Sequence, residues 1–193
     1  TKINNVKIIL SNGYEMNVTT SKTNIVGTVT NTYNRVIQTA VNILNGYSFT
    51  SRVELLYKTI NNEGSFYASG DLAKTIDGSG TTYINKTLNF SDGANISGTL
   101  DFNNGTLNLA DLLITEHNIG KVTGTGNITL DLDATSRTSD KLIISDKTSD
   151  ANITITNVNL TLSSTSDLIS GITFQILAGG SNSQLILPQS VID

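Results

Sequence analysis

From Thr81 on, apolar residues fall at alternate positions in short bursts: Thr87-Leu88-Asn89-Phe90, Thr99-Leu100-Asp101-Phe102, Thr106-Leu107-Asn108-Leu109 and Thr129-Leu130-Asp131-Leu132. In each burst Leu and the last apolar residue share one side, while Thr and Asn or Asp take the other. That is the period of a half-buried β-strand. Gly-bearing turns separate the bursts. Their return at irregular intervals predicts a mainly all-β chain folded as a right-handed parallel β-helix, whose coils take roughly 20 to 25 residues each and bury one apolar column. A β-sandwich is the alternative, since short strands with frequent turns are its signature too. A single Pro and the lack of any Trp weigh against the sandwich. The expected inward set is Leu88, Phe90, Leu100, Phe102, Leu107, Leu109, Ile128, Leu130, Leu132, Leu142, Ile144, Leu160, Leu162, Phe174 and Ile176.

The most regular stretch is Gly124 to Gly180. Ile128, Leu130 and Leu132 alternate with Thr129, Asp131 and Asp133, a Thr-, Ser- and Asp-rich loop runs from Thr135 to Asp140, and Lys141-Leu142-Ile143-Ile144 forms a second strand. In Ala151 to Ser163, Ile153 and Ile155 hold one parity and Val158, Leu160 and Leu162 the other, which requires a bend or an inserted residue near Asn157. The stretch closes on Gly171-Ile172-Thr173-Phe174-Gln175-Ile176-Leu177-Ala178. A Gly-led strand ending in Asp-x-Asp, a Ser-Asp-Lys-Leu strand, an alternating strand and a Gly-x-x-Phe close together resemble the repeat near the carboxyl end of bacterial autotransporter passenger domains. The match runs from Gly124 to Ala178, with Ile172-Thr173 where that family often has Asp-Thr. The resemblance implies stacked β-helix rungs on a secreted or surface-exposed bacterial protein. It also implies a longer precursor carrying a carboxyl-terminal membrane barrel, of which this chain is an excised piece. Activity does not follow from it.

The first part of the chain differs in character. All six tyrosines lie between Tyr14 and Tyr83. Val6, Ile8 and Leu10 alternate into Asn12-Gly13, which predicts a strand and a hairpin. Val36, Ile37, Ala40, Val41 and Leu44 recur at three- and four-residue steps and are closed by Asn45-Gly46, which predicts a short helix between Tyr33 and Leu44. Val53, Leu56, Tyr57 and Ile60 repeat the spacing, although their branched and aromatic residues fit a strand almost as well. Residues 1–80 therefore read as a Tyr-rich, helix-containing cap over the open end of the coils, and residues 81–193 as the coils themselves. The rival reading makes the tyrosines an adhesive face.

Composition narrows the function. The chain has 193 residues, 37% of them hydrophobic and 15% charged, with a net charge of -4, which suits one soluble folded unit. Without a Lys/Arg cluster, an acidic chain lacks the positive patch that nucleic acid or an anionic membrane requires. No cysteine is present, which excludes disulfides, thiol catalysis and Cys-ligated metal. Neither a signal peptide nor a run apolar enough to span a bilayer is evident.

Candidate chemistry is sparse. The one histidine, His117, reads as a loop residue, and no nucleophile elbow, protease serine or nucleotide loop occurs. Gly124-Thr125-Gly126 reads as a turn. Asp131 and Asp133 are expected on the solvent face of one strand, with Asp140, Asp146 and Asp150 flanking the next. A calcium site or a lyase groove there would need a base and cations, and nearby only Arg137, Lys141 and Lys147 are on offer. The Asn-x-Ser/Thr triplets at Asn17, Asn85, Asn89, Asn95, Asn104, Asn127, Asn152 and Asn159 read first as polar ladder residues and second as glycan acceptors. The expectation is a non-enzymatic piece with no catalytic residue, cofactor or metal. It would serve adhesion to a host-cell or bacterial surface receptor, self-association, or a stalk. The rivals are a β-helical carbohydrate-active enzyme of the polysaccharide-lyase kind and a phage or viral receptor-binding spike.

Overall fold

The computed structural model describes residues 6–9, 15–18, 22–161, 174–179 and 183–186. It is built almost wholly from strands. β1 (Val6–Ile9), β2 (Glu15–Val18) and β3 (Lys22–Ile25) pair antiparallel in order, so the predicted hairpin is present; its Asn12-Gly13 turn lies outside the described residues.

From β3 the pairing rule changes. β4 (Thr28–Thr30), β5 (Ala40–Ile43), β6 (Ser48–Arg52), β7 (Ile60–Asn62), β8 (Ser65–Leu72) and β9 (Thr75–Asp77) follow, and each pairs in parallel with the strand after next. β10 (Thr81–Phe90), β11 (Asn95–Asp101), β12 (Thr106–Asn108) and β13 (Glu116–Asp133) continue these ladders. The local pair of β13 with β14 (Thr138–Ser139) is antiparallel. β15 (Lys141–Ile144) and β16 (Asp150–Thr161) return to parallel pairing on β13, and β17 (Leu177–Gly179) and β18 (Gln184–Ile186) add to them. The ladders run through residue 80 without a change of rule.

The registers explain why alternation at irregular intervals suffices. Ile60 lies beside Ile76, Ile76 beside Ile96 and Ile96 beside Ile119. A second file runs Phe49, Phe66, Thr82, Leu100, Val122, with the two Phe rings stacked at 5.7 Å. A third runs Leu88, Leu107, Ile128, Ile155. Loops between strands vary in length, but each apolar residue meets its counterpart one circuit later. Nearly all of these side chains are fully buried, and burying each contributes about 1.5–3 kcal/mol relative to exposure. Of the inward set, Leu88 through Leu130, Leu142 and Ile144 are buried, Leu132 and Ile176 pack against the core, Phe174 is half-buried and Leu160 is exposed. Leu162 lies outside the described residues.

One corner is set by glycine. A Cβ on Gly80 would sit 2.5 Å from the Gly64 carbonyl oxygen, and one on Gly98 would sit 2.3 Å from that of Gly80. The same carbonyls accept the Thr81 and Thr99 amides, so the backbones must approach this closely.

The parity change near Asn157 is present as an inserted residue. Ile128 pairs with Ile155 and Thr129 with Asn157, leaving Thr156 extra.

The helix-containing cap is not found. Among the described residues there is no α-helix, and the only helical turn is a 3₁₀ turn at Val53–Leu55. Where a helix was expected from Tyr33 to Leu44, a turn leads to a bridge at Ile37 and then to β5. Val41 and Ile43 are buried while Val36 and Leu44 are exposed, so the burial period is two. β-Branched side chains with parallel partners on both sides favour the strand over the three–four spacing. Asn45-Gly46 closes a turn from Leu44 to Tyr47 instead of capping a helix. Nor are the described tyrosines buried as a cap would bury them. Tyr33 and Tyr57 are 60% and 59% exposed, and Tyr67 and Tyr83 stack on each other at 4.8 Å on the outside.

Candidate functional site

Two features carry polar chemistry: an outward ladder of amides and carboxylates, and a buried node at the start of β13.

The ladder follows from parallel register, which places like positions of successive circuits side by side. Asn89 Nδ2 donates to Asp71 Oδ1 at 2.6 Å and Asn108 Nδ2 to Asn89 Oδ1 at 3.0 Å, and Thr129 Oγ1 donates to Asn108 Oδ1. Asn42 joins Asn24 at 3.0 Å in the same way, and Asn95 Oδ1 accepts the Asn118 amide at 2.8 Å. Asn89 and Asn95 are thus ladder residues, as their sequence context predicted.

The node corrects the reading of His117. It is not in a loop but on β13, fully buried, in register with Leu142. Its ring meets Phe90 edge-on at 5.1 Å. Nδ1 lies 2.8 Å from the Ala94 carbonyl oxygen, which can only accept, so Nδ1 carries a proton. Nε2 lies 2.9 Å from Thr115 Oγ1. Thr115 in turn donates its amide to Asp140 Oδ1 at 2.9 Å, with its hydroxyl 3.3 Å from the same oxygen. Asp140 Oδ2 accepts the Asp131 amide at 2.7 Å. Asp131 Oδ2 accepts the amides of Asp111 and Leu112 at 2.9 and 2.6 Å.

Asp131 and Asp140 are therefore not on a solvent face. Both are buried, because the loop from Asp111 to Thr115 folds over them and uses their oxygens as amide acceptors. Burial pushes the Asp140 carboxyl up to about 6 against the opposing pull of its amide donors. Desolvation also lowers the imidazole of His117, although the Ala94 carbonyl and the negative Asp111 and Asp92 oppose it. Asp131 Oδ1 is buried with no hydrogen-bond partner.

The remaining acids are scattered. Asp133 accepts the Thr135 and Ser136 amides. Asp146 accepts the Thr148 amide and hydroxyl, which hold its carboxyl below the usual range. Asp150 is exposed at the head of β16. Of the nearby cations, Lys141 is paired with Glu116 at 2.7 Å, and Arg137 and Lys147 are exposed in turns. Among the described residues no group of three or more His, Cys, Asp or Glu is placed to hold a metal ion, and no helix is long and apolar enough to cross a membrane.

The loop over the node is unusual. Leu112 and Leu113 are 79% and 58% exposed and Ile114 is exposed beside them, while Leu112 adopts φ +71°, a left-handed conformation a leucine rarely accepts. Leu112 and Leu113 owe their place to the carboxylates of Asp131 and Asp111 that bind their amides. Side-chain alternation did not predict this feature. The signal available was three large apolar residues between two acids, Asp111 and Glu116, with His117 next.

No protein-family model, no curated protein and no solved structure matches the chain.

Proposed function

We propose that the parallel ladders wind as a right-handed parallel β-helix and that the chain is a non-enzymatic part of a surface-exposed bacterial autotransporter passenger. It acts in adhesion or self-association, or as the stalk that presents such a function. The observation that carries this reading is the succession of parallel pairings from β3 to β16, shifted in register at three points, with side chains repeating inward as one apolar core and outward as an amide ladder. Among the described residues antiparallel pairing is confined to β1–β3 and β13–β14, which disfavours a β-sandwich. The sequence pattern from Gly124 to Ala178 supports the family.

A polar ladder offers many weak donors and acceptors and few apolar anchors, so one copy binds weakly and strength comes from repetition. The test compares cells or beads displaying many copies with the free chain. Clumping or attachment by the displayed form, with the free chain monomeric on a sizing column and competing only at high concentration, is the expected result. Tight one-to-one binding by the free chain would instead indicate a concentrated hot spot. A trimer on the column would favour the spike, and unsaturated product from acidic polysaccharide would favour the lyase.

A further inference from the structure

We propose that the cleft formed by three successive circuits between Gln38 and Asp77 binds an acidic saccharide, with one sugar ring lying against Tyr57 and its carboxylate held by Lys58 and Lys74.

The cleft is a product of parallel pairing. Ile37 bridges Leu56, which sets Gln38 beside Tyr57, and Ile60 pairs with Ile76, which sets Lys58 and Lys74 in line two residues earlier. Ile37, Leu56, Ile60 and Ile76 are buried. The polar residues next to them line a cavity of about 640 Å³, the size of a small-molecule site and more than a simple anion needs.

Lys74 points to the charge of the occupant. Its ammonium donates to the Leu56 carbonyl at 2.6 Å and lies 3.4 Å from that of Lys58, which leaves its third hydrogen without an acceptor among the described residues. Burial lowers its pKa, so the charge is held at some cost. Among the described residues neither Lys74 nor Lys58 has an ion-pair partner. A cation fixed in place, partly stripped of water and without a counter-ion is well placed to hold an anion.

The rest of the lining decides the class of anion. Tyr57 is 59% exposed, so its ring offers an apolar face to the C–H face of a sugar. The Gln38 amide and the Thr75 hydroxyl supply neutral donors and acceptors for sugar hydroxyls. Asp77 lines the cleft as well, and it opposes a ligand with several charges close together, such as a nucleotide. A peptide adding as a strand would need unpaired backbone, whereas β7 is already paired by β5 on one side and β9 on the other. A sugar acid, with one carboxylate per ring among many hydroxyls, suits all of these groups. Adhesion through the outward ladder does not require this cleft, so either can be lost without the other.

The test titrates the intact chain, labelled with nitrogen-15, with the trimer of galacturonic acid. The methyl ester of the trimer serves as its uncharged counterpart, and uridine monophosphate as the competing class of anion. The acid should shift the amide signals of Gln38, Tyr57, Lys58 and Lys74, and the ester and the nucleotide should each bind about tenfold more weakly or less. Tyr57→Ala and Lys74→Gln should each weaken binding of the acid about tenfold, whereas Tyr67→Ala, on the outer tyrosine stack, should leave it unchanged. Lys58→Gln should weaken it too, and because the Lys58 side chain tethers no carbonyl, that loss reports charge and not a loosened corner. No shift at about 10 mM trimer, equal binding of acid and ester, shifts confined to residues outside the cleft, or preference for the nucleotide would each overturn the proposal. Acid, ester and nucleotide are compared on the unaltered protein, so a variant that does not fold leaves the outcome decided.

Discussion

The circuits from β5 to β12 and the circuit that begins at β13 solve the same problem with different materials. In the first region the buried side chains are Ile, Val, Leu, Phe and Ala, joined by uncharged Ser51, Asn62 and Thr82. Asn62 is satisfied within the ladder, its Nδ2 donating to the Thr81 carbonyl at 3.0 Å and its Oδ1 accepting the Gly64 amide at 3.1 Å. In the second region His117, Asp131 and Asp140 are buried, and every titratable side chain that is buried among the described residues lies there. Circuits are also longer there: Phe66 to Thr82 spans sixteen residues and Ile128 to Ile155 spans twenty-seven. The difference teaches that a loop lying back over the stack, here Asp111 to Thr115 ahead of β13, brings backbone amides with it, and buried carboxylates are the strongest acceptors available for them.

The sharpest way to break the comparison is to empty the apolar file. Phe66→Ala removes a ring stacked on Phe49 from a fully buried site, and should cost about 3–5 kcal/mol, read from urea unfolding. A loss below about 1 kcal/mol would mean that the first region is not held by its apolar column.

The second region should respond to loss of an acceptor. Asp131→Ala leaves the Asp111 and Leu112 amides without their partner and should cost about 2–4 kcal/mol, at one to two kcal/mol for each hydrogen bond to the buried carboxylate lost. Its effect should be local, with faster amide exchange at Leu112 and Leu113 before the global transition. An Asp131→Ala protein as stable as wild type, with those amides still protected, would show that the loop is held by something other than the carboxylate.

How much of this was legible follows from the same contrast. Side-chain alternation at Leu88, Leu100, Leu107 and Ile128 specified strand, face and the inserted residue near Asn157, because burial on a strand has a period of two whatever the loop lengths. The helix expected between Tyr33 and Leu44 failed because three–four spacing over a few residues also arises when a turn joins two strands, and only the pairing of β5 with β3 and β7 separates the cases. The Asp131 position failed for a different reason. Alternation put it outside with Thr129, and on the strand it does point away from Leu130. A loop twenty residues earlier then covers it, and no local pattern reports that. His117 carried the same obscurity: its burial depends on Ala94 and Thr115 offering partners, and those are visible only after folding.

The smallest effect is expected from pH, and its smallness is informative. Asp140 is pushed up from 3.8 to about 6 in the folded chain, so between those values the folded state holds a proton that the unfolded state lacks. This contribution is fully present below 3.8 and is lost as pH rises through about 6, by roughly 1.4 kcal/mol per pH unit. His117 is shifted below 6.5, so beneath that pH the unfolded state holds the proton and stability falls as pH falls. Where the two windows overlap, unfolding only moves a proton from Asp140 to His117, and the slopes cancel. Within that overlap, below about pH 6, wild-type stability should therefore owe little pH dependence to this pair. Each single variant should uncover one half. His117→Asn, whose amide nitrogen can replace Nδ1 toward Ala94, should gain stability relative to wild type as pH falls below 6.5. Asp140→Asn should lose stability relative to wild type over the range between about 6 and 3.8. Denaturation midpoints measured against wild type at each pH cancel the contributions of Asp146 and the other surface acids. If both variants drift in the same direction, the two groups do not exchange a proton on unfolding, and the second region is no more pH-coupled than the first.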